Sequence, residues 1–139
     1  MRLAMMTLIA TFGLVAVAAS HAEKEKKMDE RVFEMRIYHA APGKMKALHT
    51  RFRNHTLGLF KKHGITNVGY WSPTDPNEAD KKLIYILAYP SKAAADKSWD
   101  AFRKDPDWIK AKADSETGGT LVDKVESVYM NPTDYSPLK

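Results

Sequence analysis

The chain of 139 residues contains no cysteine. This absence excludes disulfide bonds, a thiol nucleophile and a thioether link to haem, so packing alone must hold the core together. The sequence also has no phosphate loop, dinucleotide-binding glycine motif or Ser-His-Asp motif. No two histidines have the H-x-x-x-H spacing that places zinc ligands on one helical turn, and the sequence therefore predicts no metal site.

The charges show no concentrated excess of one sign. Lysine and arginine number 22 against 17 aspartate and glutamate residues, which gives a formal net charge of +5. The basic residues are interleaved with acidic ones, so we predict no nucleic-acid partner. A mildly basic surface of this kind favours acidic partners.

Long apolar runs are scarce after the N-terminus. Residues 1–22 combine an early Arg2, an apolar run and small residues before Ala22, which is typical of a signal peptide cleaved after that residue. The run is short for a membrane span. We therefore expect a periplasmic or secreted protein with no stable membrane insertion after cleavage, and a signal anchored in the membrane is the alternative. Residues 23–31 are expected to form a polar tether.

The chain from residue 32 to residue 131 alternates between strand and helix patterns. Strands are predicted at residues 32–39, 66–71, 83–89 and 121–131, and helices at residues 44–63 and, in two segments, 91–118. This order is the ferredoxin-like βαββαβ pattern, an α+β fold with an antiparallel four-stranded sheet and both helices on one face. Residues 132–139 are expected to be a C-terminal tail.

Local signals predict where the helices begin and end. Ser91 and Asp105 are suited to N-cap positions, and Pro106 suits the first position of a helix. Gly64 suits the left-handed residue that follows a helix. Three aromatic residues of the second helical region are predicted to lie in the core: Trp99, Phe102 and Trp108.

Apolar and polar side chains alternate along residues 32–39, which is typical of a strand with one apolar face. We expect the apolar row to face the helices: Phe33, Met35 and Ile37. We expect the polar row to lie on the bare face with three further aromatic residues: Glu34, Arg36, Tyr38, Trp71, Tyr85 and Tyr129. A bare face rich in aromatic side chains is expected to bind a partner, and a second copy of the same sheet is the simplest one.

Six short motifs occur in a characteristic order and spacing. They are Glu34-x-Arg36-x-Tyr38, Pro42-Gly43-Lys44, His63-Gly64, Gly69-x-Trp71, Tyr89-x-Ser91 and Asp105-Pro106-x-Trp108. Together they resemble the NIPSNAP family, and the resemblance extends from Phe33 to Leu138. It implies a dimeric α/β barrel, in which the sheets of two subunits close into a shared barrel. It implies no settled chemistry, although distant relatives on the same barrel include monooxygenases and haem-binding proteins.

The chain departs from the family pattern at two places. Many members carry His and Trp in the third strand, where this chain has Leu83-Ile84-Tyr85-Ile86. Many also carry an Arg early in the second helix, where this chain has Asp96-Lys97. Roles that depend on those side chains are therefore not expected here.

Seven side chains are the candidates for a ligand site on the barrel face: Glu34, Arg36, Tyr38, His55, Trp71, Tyr85 and Tyr129. Glu34 and Arg36 either form a structural ion pair, bridge two subunits or anchor a small ligand, for which Arg36 would suit a carboxylate. His55 lies on the apolar stripe of the first predicted helix with Phe52 and Leu59. It is either a buried core histidine or an acid–base group that contacts a ligand.

Three functional hypotheses stay open. The first is an exported homodimer that binds a small ligand or a partner and catalyses no reaction. The alternative is a barrel-pocket oxidoreductase, monooxygenase-like or haem-binding, with Arg36, Tyr38 and His55 as its polar groups. The third is a purely structural dimer with a solid barrel. No cofactor is predicted, with haem held by His55 as the alternative, and no catalytic residue is assigned.

Overall fold

The computed structural model describes residues 17–21, which form a short helical turn, and residues 31–139. The predicted signal peptide and tether therefore lie almost wholly outside the described residues, and cleavage and export stay predictions. In the described ranges, no helix is both long enough and apolar enough to span a bilayer.

The elements after Arg31 follow the predicted order. They are β1 (Val32–Ala40), α1 (Met45–Arg51), a π-helical segment (Phe52–Thr56), α2 (Leu57–Lys62), β2 (Thr66–Trp71), α3 (Pro76–Ala79), β3 (Lys82–Tyr89), α4 (Lys92–Lys104), α5 (Pro106–Ser115) and β4 (Val122–Met130). The strands pair antiparallel in the order β2-β3-β1-β4. This confirms the α+β, ferredoxin-like fold. The short α3 is an element that the sequence patterns do not predict.

The predicted capping residues occupy their expected positions. The Ser91 hydroxyl accepts a hydrogen bond from the backbone N–H of Ala94 at 3.1 Å, so it begins α4. The Asp105 carboxylate accepts one from the N–H of Asp107 at 2.8 Å, with Pro106 at the first position of α5. Gly64 has φ +74° directly after α2, where a left-handed residue is needed.

The hydrophobic core lies between the helices and one face of the sheet, which we call the covered face. Its aromatic residues meet largely edge to face, such as Phe60 with Trp99 at 5.3 Å between ring centroids and Phe52 with Tyr85 at 5.4 Å. The core placement of Trp99 and Phe102 is confirmed, whereas Trp108 is only half-buried. Aromatic contacts therefore join the sheet to the helices within a core that also contains aliphatic side chains such as Leu48 and Leu87.

The alternation in β1 is confirmed, but the prediction of which row faces the helices is wrong. Glu34 is 0% exposed and accepts a hydrogen bond from the indole of Trp99 on α4. The Arg36 guanidinium lies 4.4 Å from the centre of the Trp99 ring, and the Tyr38 ring contacts Phe52 at 5.9 Å. The polar row therefore lies on the covered face, because the layer above it supplies hydrogen-bond donors and aromatic surface.

The opposite surface, which we call the open face, carries the apolar row instead. The strand register brings these side chains to it: Met35, Ile37, Trp71, Ile84, Ile86, Val128 and Met130. Trp71 is the one predicted barrel-face candidate that lies here, and it is 49% exposed. Its ring covers Gly69, where a Cβ atom would collide with the six-membered ring of the indole. The close approach explains why glycine stands at that position.

The first helix is not regular, and the placement of His55 on its apolar stripe is wrong. The π-helical segment Phe52–Thr56 has a wider turn, which changes the direction of the residues that follow. As a result Thr56 is buried and His55 is exposed. Arg51, which the regular pattern places mostly off the stripe, is only 4% exposed and forms an ion pair with Glu116 at 2.9 Å.

Candidate functional site

A cleft of about 510 Å³ opens between the covered face and the helices. The sheet contributes side chains from two adjacent strands: Glu34, Arg36, Tyr38, Ser127 and Tyr129. The helices contribute Trp99, Phe102, Arg103 and Trp108 around the corner between α4 and α5. Aromatic walls with a few fixed polar groups are typical of small-molecule sites.

Glu34 forms the buried floor of this cleft, and both of its carboxylate oxygens are fully occupied. Oε1 accepts hydrogen bonds from Ser127 Oγ at 2.6 Å and from Arg36 Nη1. Oε2 accepts from the Tyr89 hydroxyl at 2.6 Å and from Trp99 Nε1 at 2.8 Å. A buried carboxylate is tolerated here because every lone-pair direction meets a donor.

The environment of Glu34 favours its ionised form. Burial raises the pKa of the carboxyl, but hydrogen bonds from Ser127 and Tyr89, the charge of Arg36 and the bond from Trp99 outweigh burial, so its pKa lies below the ordinary value. Glu34 is therefore a fixed anion at neutral pH. It is a poor proton acceptor for a substrate.

Arg36 is held in place on three sides. Its Nη1 donates to Glu34, its Nε donates to the Tyr85 hydroxyl at 3.0 Å, and its planar face lies on the Trp99 ring. Burial lowers the pKa of the guanidinium, but the surrounding Tyr85, Tyr38 and Glu34 groups raise it above its ordinary value. The charge of Arg36 is therefore permanent and its position is set by the network.

Three phenols in or beneath the cleft, those of Tyr85, Tyr89 and Tyr129, stay protonated at neutral pH. Burial raises the pKa of the Tyr129 hydroxyl to about 12 and raises that of Tyr85 well above its ordinary value. Burial and the hydrogen bond to Glu34 also raise the pKa of Tyr89. These hydroxyls can donate hydrogen bonds, but they are not activated as bases or nucleophiles.

The sequence model of the NIPSNAP family matches residues 33–137, which is well over half of the chain. The chain belongs to the NIPSNAP family. Its domain therefore includes both strands and both helices that form the cleft. No curated protein matches the chain.

Solved structures of other NIPSNAP proteins share this fold. A NIPSNAP family protein of unknown function from Agrobacterium tumefaciens is 21% identical, covers 80% of this chain and 96% of its own, and has a TM-score of 0.68. A second NIPSNAP family protein from that organism is 23% identical, covers 79% and 100%, and also has a TM-score of 0.68. An uncharacterized NIPSNAP-like domain protein from Burkholderia xenovorans is 14% identical, covers 80% and 93%, and has a TM-score of 0.67. At these identities the likeness shows the ferredoxin-like fold alone.

Five of the seven predicted site residues lie together in or directly beneath the cleft of this NIPSNAP domain: Glu34, Arg36, Tyr38, Tyr85 and Tyr129. Trp71 is on the open face. His55 lies on the outside of the first helix, next to a surface groove against α5. The polar trio of Arg36, Tyr38 and His55 therefore does not assemble.

Three residues that donate hydrogen bonds to Glu34 are absent from the sequence-based list of site residues: Tyr89, Trp99 and Ser127. Ser127 lies two residues before Tyr129 in β4, so the period of the strand was a usable signal. Trp99 was expected only as core, because nothing in its helical pattern shows that its indole N–H meets a carboxylate. In the described ranges, no group of three His, Asp or Glu side chains could hold a metal ion.

Proposed function

We propose that this NIPSNAP protein is an exported homodimer in which each protomer binds a small molecule in the cleft between its own sheet and helices. The observation that carries the proposal is the cleft itself, with a prearranged guanidinium among aromatic walls. A pocket of this size and lining suits a small organic ligand.

The electrostatics of the cleft support binding without a reaction. Glu34 has a lowered pKa and four donors on its two oxygens, so it is poorly suited to general acid or base chemistry. The phenols of Tyr85, Tyr89 and Tyr129 have raised pKa values and are not nucleophiles. A site of this kind can orient a ligand, but its side chains are poorly suited to exchange protons with it.

The three tryptophans provide a direct test of ligand binding. Trp99 and Trp108 line the cleft, whereas Trp71 lies on the open face and serves as an internal control. A fragment library is added to the ¹⁵N-labelled protein, and the indole N–H resonances are recorded. We expect binding compounds to shift the resonances of Trp99 and Trp108 and to leave that of Trp71 unchanged. A library in which no compound shifts Trp99 or Trp108 would overturn the proposal.

The open face supports the homodimer. Its apolar side chains are partly exposed, with Val128 50% and Trp71 49% exposed, and apolar surface of this kind can bind a partner. The rim of this face carries charges of both signs, because Glu126 forms an ion pair with Lys124 at 3.0 Å. A mixed-sign rim around an apolar centre is compatible with its own copy across a two-fold axis, and we therefore assign a second copy as the partner.

A matched pair of substitutions tests the dimer by analytical ultracentrifugation. Val128→Lys places a charge on the open face, and Ile109→Lys places the same charge on the exposed side of α5, where Ile109 is 54% exposed. We expect twice the chain mass for the wild type and for Ile109→Lys, and a monomer for Val128→Lys. A wild-type chain that sediments as a monomer at micromolar concentration would contradict the homodimer.

Export is tested by the mass of the protein purified from its own host. Removal of residues 1–22 should leave a chain that begins at Glu23. A full-length mass would favour the membrane-anchored alternative.

A further inference from the structure

We propose that the ligand of the cleft is a small, planar organic acid whose carboxylate binds the unoccupied edge of Arg36, with Arg103 as the second cation. This inference rests on the proposed function, because it names the class of molecule that the same cleft binds. It assigns Glu34 as the residue that positions Arg36.

The first argument is the hydrogen bonding of Arg36. Its Nε and Nη1 atoms are engaged by Tyr85 and Glu34, and Nη2 forms no hydrogen bond with any residue in the part of the chain that the structure describes. Arg36 lines the cleft, so this edge of the guanidinium is where a ligand would meet it. The two N–H groups of Nη2 can donate charge-assisted hydrogen bonds to a carboxylate oxygen, which makes an anion a better acceptor there than a neutral group.

The second argument is that the guanidinium is already fixed before a ligand arrives. Glu34 is fully buried, and the Trp99 ring supports the planar face of Arg36 at 4.4 Å. A fixed arginine loses little conformational freedom when it binds an anion, which strengthens the interaction. If Arg36 served only to neutralise Glu34, it would need neither the Trp99 ring against its planar face nor an Nη2 group that faces the cleft.

The third argument is the charge balance among the residues that line the cleft. Glu34 and Arg36 neutralise each other, and Asp96 is neutralised by Lys92 at 2.5 Å. Arg103 lines the cleft and forms no ion pair with another residue in the described ranges. The four charged side chains that line the cleft sum to zero, but Arg103 is the cation among them with no ion pair in the described part of the chain, so it is available to the negative charge of a ligand.

The walls of the cleft indicate the shape of the rest of the ligand. Phe102 and Trp108 lie 4.5 Å apart between ring centroids on the helical side, and Tyr129 lies on the sheet side. Aromatic walls of this kind gain most from a flat, unsaturated body that can stack on them. A volume of about 510 Å³ is sufficient for a molecule with one or two rings.

The test compares three probes of similar size on the intact protein. They are 2-naphthoate, its neutral analogue 2-naphthamide, and decahydro-2-naphthoate, which keeps the carboxylate on a body that is not flat. Dissociation constants are measured by calorimetry, and the indole resonances of Trp99 and Trp108 report where each probe binds. We expect 2-naphthoate to bind about tenfold or more tightly than 2-naphthamide, the equivalent of one charge-assisted hydrogen bond. Decahydro-2-naphthoate should bind more weakly than 2-naphthoate.

Variants then show which charged side chains cause 2-naphthoate to bind more tightly than 2-naphthamide. Arg103→Gln changes an exposed residue and should reduce the preference while the chain stays folded. The double variant Glu34→Gln with Arg36→Gln removes both charges together, so no buried charge is left unpaired, and it should abolish the preference. Arg53→Gln removes the same charge from an exposed position outside the cleft and should leave the preference unchanged.

The outcomes separate this inference from the function on which it rests. Equal binding of 2-naphthoate and 2-naphthamide, or a preference that persists in both Arg103→Gln and the double variant, would overturn the acid class. The same conclusion follows if 2-naphthoate leaves Trp99 and Trp108 unshifted while another library compound shifts them. If no compound shifts either indole, the proposed function itself fails.

Discussion

Along β1, the two faces of the sheet distribute polar and apolar residues in the opposite sense to a simple inside–outside rule. The covered face holds a buried carboxylate and a guanidinium, Glu34 and Arg36, beneath the helices. The open face holds an apolar row in which Ile84 and Ile86 are half-buried and Val128 is exposed. The comparison teaches that a polar side chain is buried where donors and acceptors meet it, and that apolar side chains stay partly exposed where no layer of helices covers them.

We expect the largest difference in the free energy of unfolding between substitutions of two glutamates, Glu34 on the covered face and Glu126 on the open face. Glu34→Gln should reduce the free energy of unfolding by about 3 kcal/mol, because it leaves the charge of Arg36 without its partner in a largely buried site. Glu126→Gln on the open face should cause a much smaller loss, since exposed ion pairs contribute little to stability. Urea unfolding of both variants measures the difference.

The Val128→Lys chain is the appropriate background for these measurements. Dissociation of a dimer then adds nothing to the free energy of unfolding, so the two faces are compared in the same monomer. Equal destabilisation by Glu34→Gln and Glu126→Gln would mean that the buried network adds no stability beyond that of a surface pair.

Substitutions of Trp99 at the covered face and Trp71 on the open face test the same comparison, with a smaller expected change in the free energy of unfolding. Trp99→Phe removes the 2.8 Å hydrogen bond to Glu34 and leaves a small void in the core, so it should cost about 2 kcal/mol. Trp71→Phe changes a ring that is 49% exposed and should alter the free energy of unfolding by less than about 0.5 kcal/mol in the same background. A cost for Trp71→Phe that matches the cost for Trp99→Phe would show that the open face is packed within a single chain.

Sequence patterns were sufficient for the order of the strands and the longer helices, and for the two rows of β1, but not for the short helix α3. A strand has a period of two, so the division of Glu34 from Met35 follows from the chain alone. The choice of the covered row does not, because it depends on donors that approach Glu34 from far along the chain. Tyr89 and Trp99 are 55 and 65 residues away, and their hydroxyl and indole groups become visible as partners only after packing.

The error at His55 has a different physical origin. A helical wheel assumes a constant turn, and the π-helical segment Phe52–Thr56 interrupts it. Thr56 and Arg51 are buried in consequence, with the Thr56 hydroxyl 3.4 Å from the carbonyl oxygen of Arg51. No residue in the segment marks it as π-helical, so periodicity alone could not place His55.

The pH dependence of stability gives the smallest effect and isolates the charge of Glu34. Its pKa is lowered in the folded protein, so its contribution is fully present above the ordinary carboxyl pKa and is lost as the pH falls through the folded value. Arg36, Tyr85, Tyr89 and Tyr129 surround it, and their raised pKa values keep them protonated throughout the acid range. Glu34 is therefore the group in this cluster that titrates there.

We expect the difference in unfolding free energy between the wild type and Glu34→Gln to be constant from about pH 7 to about pH 5 and to shrink below about pH 4. Other carboxylates with lowered pKa values, such as Asp105 and Glu116, are present in both chains, so their contributions cancel in the difference. Urea titrations at each pH provide the measurement. A difference that stays constant into acid would show that the network does not favour ionised Glu34. A difference that grows would show that burial outweighs the four hydrogen-bond donors, and the covered face would then hold a neutral acid in place of a fixed anion.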